Sequence, residues 1–174
     1  MEKAAKFEKV SYGQFAEGWR KFDPWASAET IREIYNNLKM PKRATAGSAG
    51  YDFFAPVSIT LKPQEEAVIP TGIRVKMKEG YVLMLFPRSS LGFKYRMQLN
   101  NTVGIIDSDY YLAENEGHIF CKITNDSKEG KTLSIRQSDG MVQGIFIAFA
   151  VTEDDTADEK RTGGFGSTDM RKKE

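Results

Sequence analysis

From Ala44 to Thr152 the chain is a succession of short β-branched and aromatic runs, each cut off by glycine, proline, lysine or aspartate. Runs this short cannot bury a face alone. Many of them at close spacing fold as an antiparallel sandwich or jelly roll, so the sequence predicts a mainly β core. The expected strands are Val57 to Leu61, Ala67 to Met77, Tyr81 to Phe86, His118 to Thr124, Thr132 to Arg136 and Met141 to Val151. A length of 174 residues suits one such core with extensions at its ends.

The extensions differ in kind. Within residues 1–43, Phe7 to Val10 alternates like a strand, and Ser11-Tyr12-Gly13-Gln14 has the spacing of a capping box. Tyr12, Phe15, Trp19 and Phe22 then recur at helical intervals, although Gly13 and Gly18 weaken that helix. Asp23-Pro24 is the expected N-cap and first turn of a second helix bearing Ile31, Ile34, Tyr35 and Leu38, and Met40-Pro41 should stop it. The aromatic stripe, with Trp19 and Trp25, is expected in the core or against another subunit. At the other end, residues 153–174 open with an acidic stretch that has almost nothing to bury, followed by the pliable Arg161-Thr162-Gly163-Gly164-Phe165-Gly166-Ser167-Thr168. The core therefore occupies residues 44–152.

A formal charge of +1 gives no surface for coating a polyanion, so no nucleic-acid partner is expected and any anion binding must be local. One cysteine, Cys121, rules out an internal disulfide and suits a reducing, cytoplasmic setting. No long apolar run or signal-like N-terminus points to a membrane or to secretion. The single histidine, His118, is expected to be structural or exposed.

Five stretches hold chemistry. Asn100 to Tyr111 runs from side-chain amides through Val103, Ile105 and Ile106 into Asp107, Ser108, Asp109 and Tyr110. This reads as a strand entering a hairpin end, where Asp107 either stands at the mouth of a pocket as a reacting group or is simply a good turn residue. Gly47 to Asp52 lets the backbone approach a ligand, with Asp52 able to hold a hydrated cation. In Pro87-Arg88-Ser89-Ser90-Leu91-Gly92, a guanidinium, two hydroxyls and backbone N–H groups make either a phosphate cradle or an ordinary strand-end turn. Gln143 enters an apolar strand, where an amide needs a partner or a ligand. In the tail, Arg161, Phe165, Ser167 and Thr168 combine a cation, an aromatic face and hydroxyls suited to closing over a nucleotide. No Walker A pattern exists, so a P-loop enzyme is unsupported.

The segments SAGYDFFAP, PRSSLG, NNTVGIIDSDYY, SDGMVQG and RTGGFGST, in this order and spacing, resemble the five motifs of the trimeric deoxyuridine triphosphate nucleotidohydrolases, the dUTPases. The resemblance implies a distorted jelly-roll β-barrel with a short helical N-terminal extension, a homotrimer, and hydrolysis of dUTP to dUMP and pyrophosphate with Mg²⁺. It assigns Asp107 to the attacking water, Asn101 to uracil and Tyr110 to the face under deoxyribose, where no 2′-hydroxyl fits. Ser89 and Gln143 correspond to phosphate contacts, with Arg88 and Asp52 supporting the phosphate and metal region, Asp52 through water. Ser90, Gly92, Gly104 and Gly166 fall within the substrate-binding motifs. Arg161, Phe165, Ser167 and Thr168 correspond to an arm that covers a neighbouring subunit's site.

Four departures stand out. Lys160 and Arg161 compete for the fifth-motif cation. Residues 111–117 replace the usual continuation after Tyr110, implying a longer connection beside the base pocket. Gly140 stands where an arginine is common, so one pairing should be lost, and the N-terminal helices lie outside the common core. Two alternatives stay open: a dCTP deaminase of the same fold, and a regulatory binding protein on this scaffold.

Overall fold

A computed structural model of the chain describes residues 2–157. Lys160, Arg161, Phe165, Gly166, Ser167 and Thr168 lie outside them.

The N-terminal region starts with strand β1 (Ala5–Lys9) and helix α1 (Tyr12–Phe22). Ser11 caps α1 as its spacing predicts, with its hydroxyl accepting from Gln14 N at 3.2 Å. Gly18, a poor helix former, has a tertiary reason to be there. A Cβ at this position would lie 2.9 Å from the Phe120 ring and 3.0 Å from His118, so the glycine lets the helix lie close against the core.

The second helix, α2 (Ala28–Asn37), corrects the expected cap. Asp23 instead ends α1, its N–H donating to Trp19 O at 2.7 Å while its carboxylate accepts from Trp25 N at 3.1 Å. Ser27 caps α2 by accepting from Thr30 N at 3.1 Å. Asp23 is engaged in the turn, and the register of Ile31, Ile34 and Leu38 on α1 sets where the second helix starts. We expect Ser27→Ala to cost about 1 kcal/mol, read as a lower urea midpoint at unchanged slope. An unmoved midpoint would refute this cap. Trp19 is buried as expected, but Trp25, on the connecting turn, is 94% exposed.

The core is built from antiparallel pairs. A five-stranded sheet runs β2 (Lys42–Arg43), β3 (Tyr51–Phe54), β12 (Gly140–Ala148), β7 (Tyr81–Pro87) and β9 (Gly104–Ile106). A three-stranded sheet runs β5 (Glu66–Pro70), β10 (Phe120–Asn125) and β8 (Met97–Leu99). Strand β4 (Ile59–Leu61) pairs with β11 (Leu133–Ile135), and β1 pairs with β6 (Ile73–Met77). Strands β8, β9 and β11 alternate buried and exposed positions, and Ile69, Leu83, Ile106, Ile123, Leu133 and Val142 meet in the interior. The result is the mainly β, jelly-roll-like fold that the sequence predicts.

The expected strand Ala67 to Met77 is two strands. Gly72 breaks it with φ +72°, and a Cβ there would meet Leu38 Cδ1 at 2.3 Å. The break sends β5 to β10 and β6 to β1. His118 fixes it by accepting from Gly72 N through Nε2 at 2.9 Å. Among the described residues no helix is long and apolar enough to cross a membrane.

Candidate active site

Strand β8 turns at Asn100, whose amide donates to Glu66 Oε2 and whose Oδ1 accepts from Thr124 Oγ1, both at 2.7 Å. The chain returns as β9, where Gly104 pairs with Leu85 of β7. A Cβ on Gly104 would lie 3.1 Å from Leu85 Cβ, so the glycine lets β9 lie tight against its neighbour. Past Ile106 the chain does not simply turn. Asp107 has extended backbone (φ −78°, ψ 159°) and leads into a 3₁₀ turn, Ser108–Leu112. Asp107 and Asp109 are exposed, and Tyr110 is buried.

Behind this segment lies a cavity of about 640 Å³, lined by Leu85, Leu99, Asn101, Gly104, Ile106 and Phe120 among others. Apolar walls with amides among the lining residues are what a flat, polar-edged ligand requires, and the volume is in the range of small-molecule sites. Asn101 and Gly104 thus line one cavity, and Asp107 directly follows its wall residue Ile106.

Tyr110 does not line the cavity. It is 4% exposed, with its hydroxyl donating to His118 O at 2.8 Å and accepting from Asn115 Nδ2 at 2.7 Å. Of residues 111–117, Asn115 lines the cavity. Sequence reasoning missed Asn115 as a site residue, although its place in that altered stretch was a signal. It also missed Lys21, which reaches the cavity lining only through the packing of α1 and left no mark in local pattern.

The connection is tied to the N-terminal region. Tyr111 Oη donates to Glu8 Oε2 at 2.8 Å, and the Arg74 guanidinium lies 4.4 Å from the Tyr111 ring centroid. The Glu116 carboxylate accepts from Ser11 N at 2.7 Å and from Ser11 Oγ at 2.6 Å. Burial alone would raise the Glu116 carboxyl, but these bonds outweigh it and hold its pKa below the ordinary value.

The second group forms where β3, β7 and β12 meet. Asp52 and Gln143 are register partners across β3 and β12, and Arg88 follows β7. Arg88 Nε lies 3.1 Å from Asp52 Oδ1, and its Nη1 donates to Gly140 O at 3.2 Å. A Cβ on Gly140 would collide with Arg88 Nη1 at 2.6 Å, so the space above that glycine is filled by Arg88. Gln143 Nε2 donates to Pro87 O at 3.2 Å, and Gly50 makes room for its Oε1, which a Cβ would approach to 2.7 Å.

After Arg88, where the sequence left a phosphate cradle or a strand-end turn open, the chain forms a helix, α3 (Ser89–Tyr95). Ser89 and Ser90 are exposed in its first turn, where backbone N–H groups have no partner within the helix. Arg88, Ser89 and Gly92 line a shallower depression of about 390 Å³. The two groups share no lining residue within one chain. Among the described residues no three His, Cys, Asp or Glu are placed together to hold a metal.

A family model described as dUTPase matches residues 36–169, which takes in both groups and also Arg161, Phe165, Gly166, Ser167 and Thr168. The match begins near the end of α2, leaving α1 outside it. The chain is 43% identical over 144 residues to a deoxyuridine 5′-triphosphate nucleotidohydrolase of Lactococcus lactis, covering 80% of this chain and 95% of that one. Against the protein of that name from Hahella chejuensis the identity is 35% over 143 residues, with 79% and 91% covered. Among solved structures, the Streptococcus mutans dUTPase superposes with a TM-score of 0.61 at 32% identity, covering 84% of this chain and 98% of its own. A dUTPase from phage phi11 of S. aureus, reported to coordinate a structural Mg(II) ion, has the same fold at a TM-score of 0.62 and 23% identity, with 90% and 98% covered.

Proposed function

This chain belongs to the dUTPase family and is a dUTP diphosphatase, and we propose that it cleaves dUTP by an Asp107-activated water attacking the α-phosphorus. The observation that carries this mechanism is the placing of an exposed carboxylate directly after the strand whose residues line the cavity of about 640 Å³. Asn101 and Gly104 hold uracil, and Tyr110 supports the deoxyribose. Asp107 takes a proton from the water as oxygen bonds to the α-phosphorus. The bond to the bridging oxygen breaks, releasing pyrophosphate and leaving dUMP. A positioned base of this kind contributes about 10²- to 10⁴-fold.

Arg88, Ser89, Ser90, Gly92 and Gln143 form the phosphate side, where a guanidinium and fixed donors stabilise the charge that builds on the leaving group. The donor set fits Mg²⁺ held mainly by phosphate oxygens and water, which is how this ion is usually bound. Asp52, with Oδ1 engaged by Arg88, would help to hold the ion through water. When bound, Mg²⁺ supplies neutralisation of the triphosphate.

The active unit in this reading is a homotrimer, with the arm bearing Arg161, Phe165, Gly166, Ser167 and Thr168 closing a neighbouring site. Two observations support assembly. The base and phosphate groups line separate depressions on one chain, so a second copy can bring them face to face. Ile105, Met84 and Ile145 also lie side by side across β9, β7 and β12, and Ile105 is 49% exposed, an apolar row suited to a subunit contact. The setting is cytoplasmic.

Incubation with dUTP and, separately, dCTP tests the reaction. We expect one pyrophosphate and one dUMP for each dUTP consumed, and no ammonia from dCTP. Ammonia from dCTP would point instead to the deaminase chemistry of the same fold.

A further inference from the structure

We infer that Asn115 is a positioning residue for sugar selection, locking the phenol of Tyr110 so that a ribonucleotide is refused; this rests on the dUTPase reading above. Asn115 lines the cavity, yet its amide is engaged by the protein on both sides. Its Nδ2 donates to Tyr110 Oη at 2.7 Å, and its Oδ1 accepts from Gly117 N at 3.2 Å. It therefore faces the cavity as a brace, not as a donor awaiting a ligand. The Tyr110 hydroxyl is held in both its roles, since its own proton goes to His118 O at 2.8 Å.

The brace is stiff because the loop carrying it is closed. His118 N donates to Asn115 O at 3.0 Å. Gly117 adopts φ +70°, and a Cβ there would lie 2.7 Å from Tyr110 O, which brings the loop against the backbone of the residue it holds. Glu116 then fastens the loop to Ser11 at the start of α1. The N-terminal helix thereby becomes the outer support of the sugar side of the site, and α1 lies outside the part of the chain that the family model matches.

Rigidity matters because an extra hydroxyl is hard to reject. A pocket that can yield discriminates such an analogue poorly, whereas a packed ring bonded at its far end cannot move aside. Asn115 thus acts through Tyr110 and touches no reacting atom.

The test is the ratio of kcat/KM for dUTP to that for UTP in the full chain, for wild type, Asn115→Asp, Tyr110→Phe and the double variant. Asn115→Asp keeps the acceptor for Gly117 N that shapes the loop, but removes the Nδ2 donor to Tyr110 Oη and, at 3.4 Å, to His118 O. Tyr110→Phe keeps the ring and removes the hydroxyl. We expect each single change to lower the ratio about tenfold, roughly the effect of one lost hydrogen bond. In the double variant the two should not fully multiply, because both remove the Asn115–Tyr110 bond, while Tyr110→Phe also removes the bond to His118 O. A ratio unmoved by Tyr110→Phe, or by a folded Asn115→Asp, overturns the inference, as does full multiplication. Wild type that hydrolyses dUTP while the ratios stay put overturns the inference alone; wild type that leaves dUTP intact overturns the reading beneath it as well.

Discussion

Asp107→Asn is expected to lose about 10²- to 10⁴-fold in kcat for dUTP, the range of a removed general base, while the protein stays folded and continues to bind nucleotide. Asparagine matches aspartate in size and can still orient a water through its oxygen, but it cannot take the water's proton. The site tolerates the change structurally because Asp107 is exposed and asparagine has the same shape. Exposed substitutions of this kind usually alter stability by less than about 0.5 kcal/mol. The loss should therefore appear in kcat with KM little moved, the pattern of an interaction made in the transition state. Single-turnover cleavage in excess enzyme separates chemistry from product release. A variant within threefold of wild type in that assay would remove Asp107 from the role of base.

The β core was legible because its runs are short, β-branched and punctuated, and the helix caps at Ser11 and the stop near Pro41 followed from local chemistry. Local chemistry also set the limits. Asp23 has the makings of an N-cap, but a turn can use the same carboxylate, and only the packing of Ile31 and Ile34 on α1 shows that Ser27 starts the helix. The break at Gly72 was hidden because an apolar run reads the same whether it pairs with one neighbour or bends between two; a histidine distant in sequence fixes it.

The site divides in the same way. Asp52, Arg88 and Gln143 come together as their motifs suggest, because strand pairing brings β3, β7 and β12 side by side. The bonds through which Asn115 and Glu116 tie the cavity to α1 depend on tertiary contacts between Ser11 and the loop, and such contacts leave no periodic trace.

His118 gives the second large effect, a loss of stability of about 2 kcal/mol between pH 7.5 and pH 5 that disappears in His118→Gln. Burial holds its pKa at about 4, against an ordinary 6.5, with the nearby Glu116 carboxylate offsetting only part of the shift. Its ring is enclosed by Phe15 and Phe120, its Nε2 accepts from Gly72 N, and among the described residues its Nδ1 has no hydrogen-bond partner. The unfolded chain thus takes up a proton near pH 6.5 while the folded chain resists until about pH 4. Stability is full above 6.5 and falls as pH drops toward 4. Over the whole window the loss approaches roughly 3 kcal/mol, at 1.36 kcal/mol per unit.

Lowered carboxylates act in a separate range. Glu8, Glu66 and Glu116 have an ordinary value of 4.5, and Asp126, held at about 2 chiefly by its bond from Lys128, has one of 3.8, so their contributions fade mainly below pH 5. Urea unfolding at fixed protein concentration, at pH 7.5 and pH 5.0, isolates the histidine. Glutamine can still accept from Gly72 N, so His118→Gln should be the less pH-sensitive chain whatever its stability at pH 7.5. Equal falls in both would show that His118 titrates normally. The backbone carbonyl of the same residue holds the Tyr110 hydroxyl, so the residue that sets this pH response also supports the sugar side of the site.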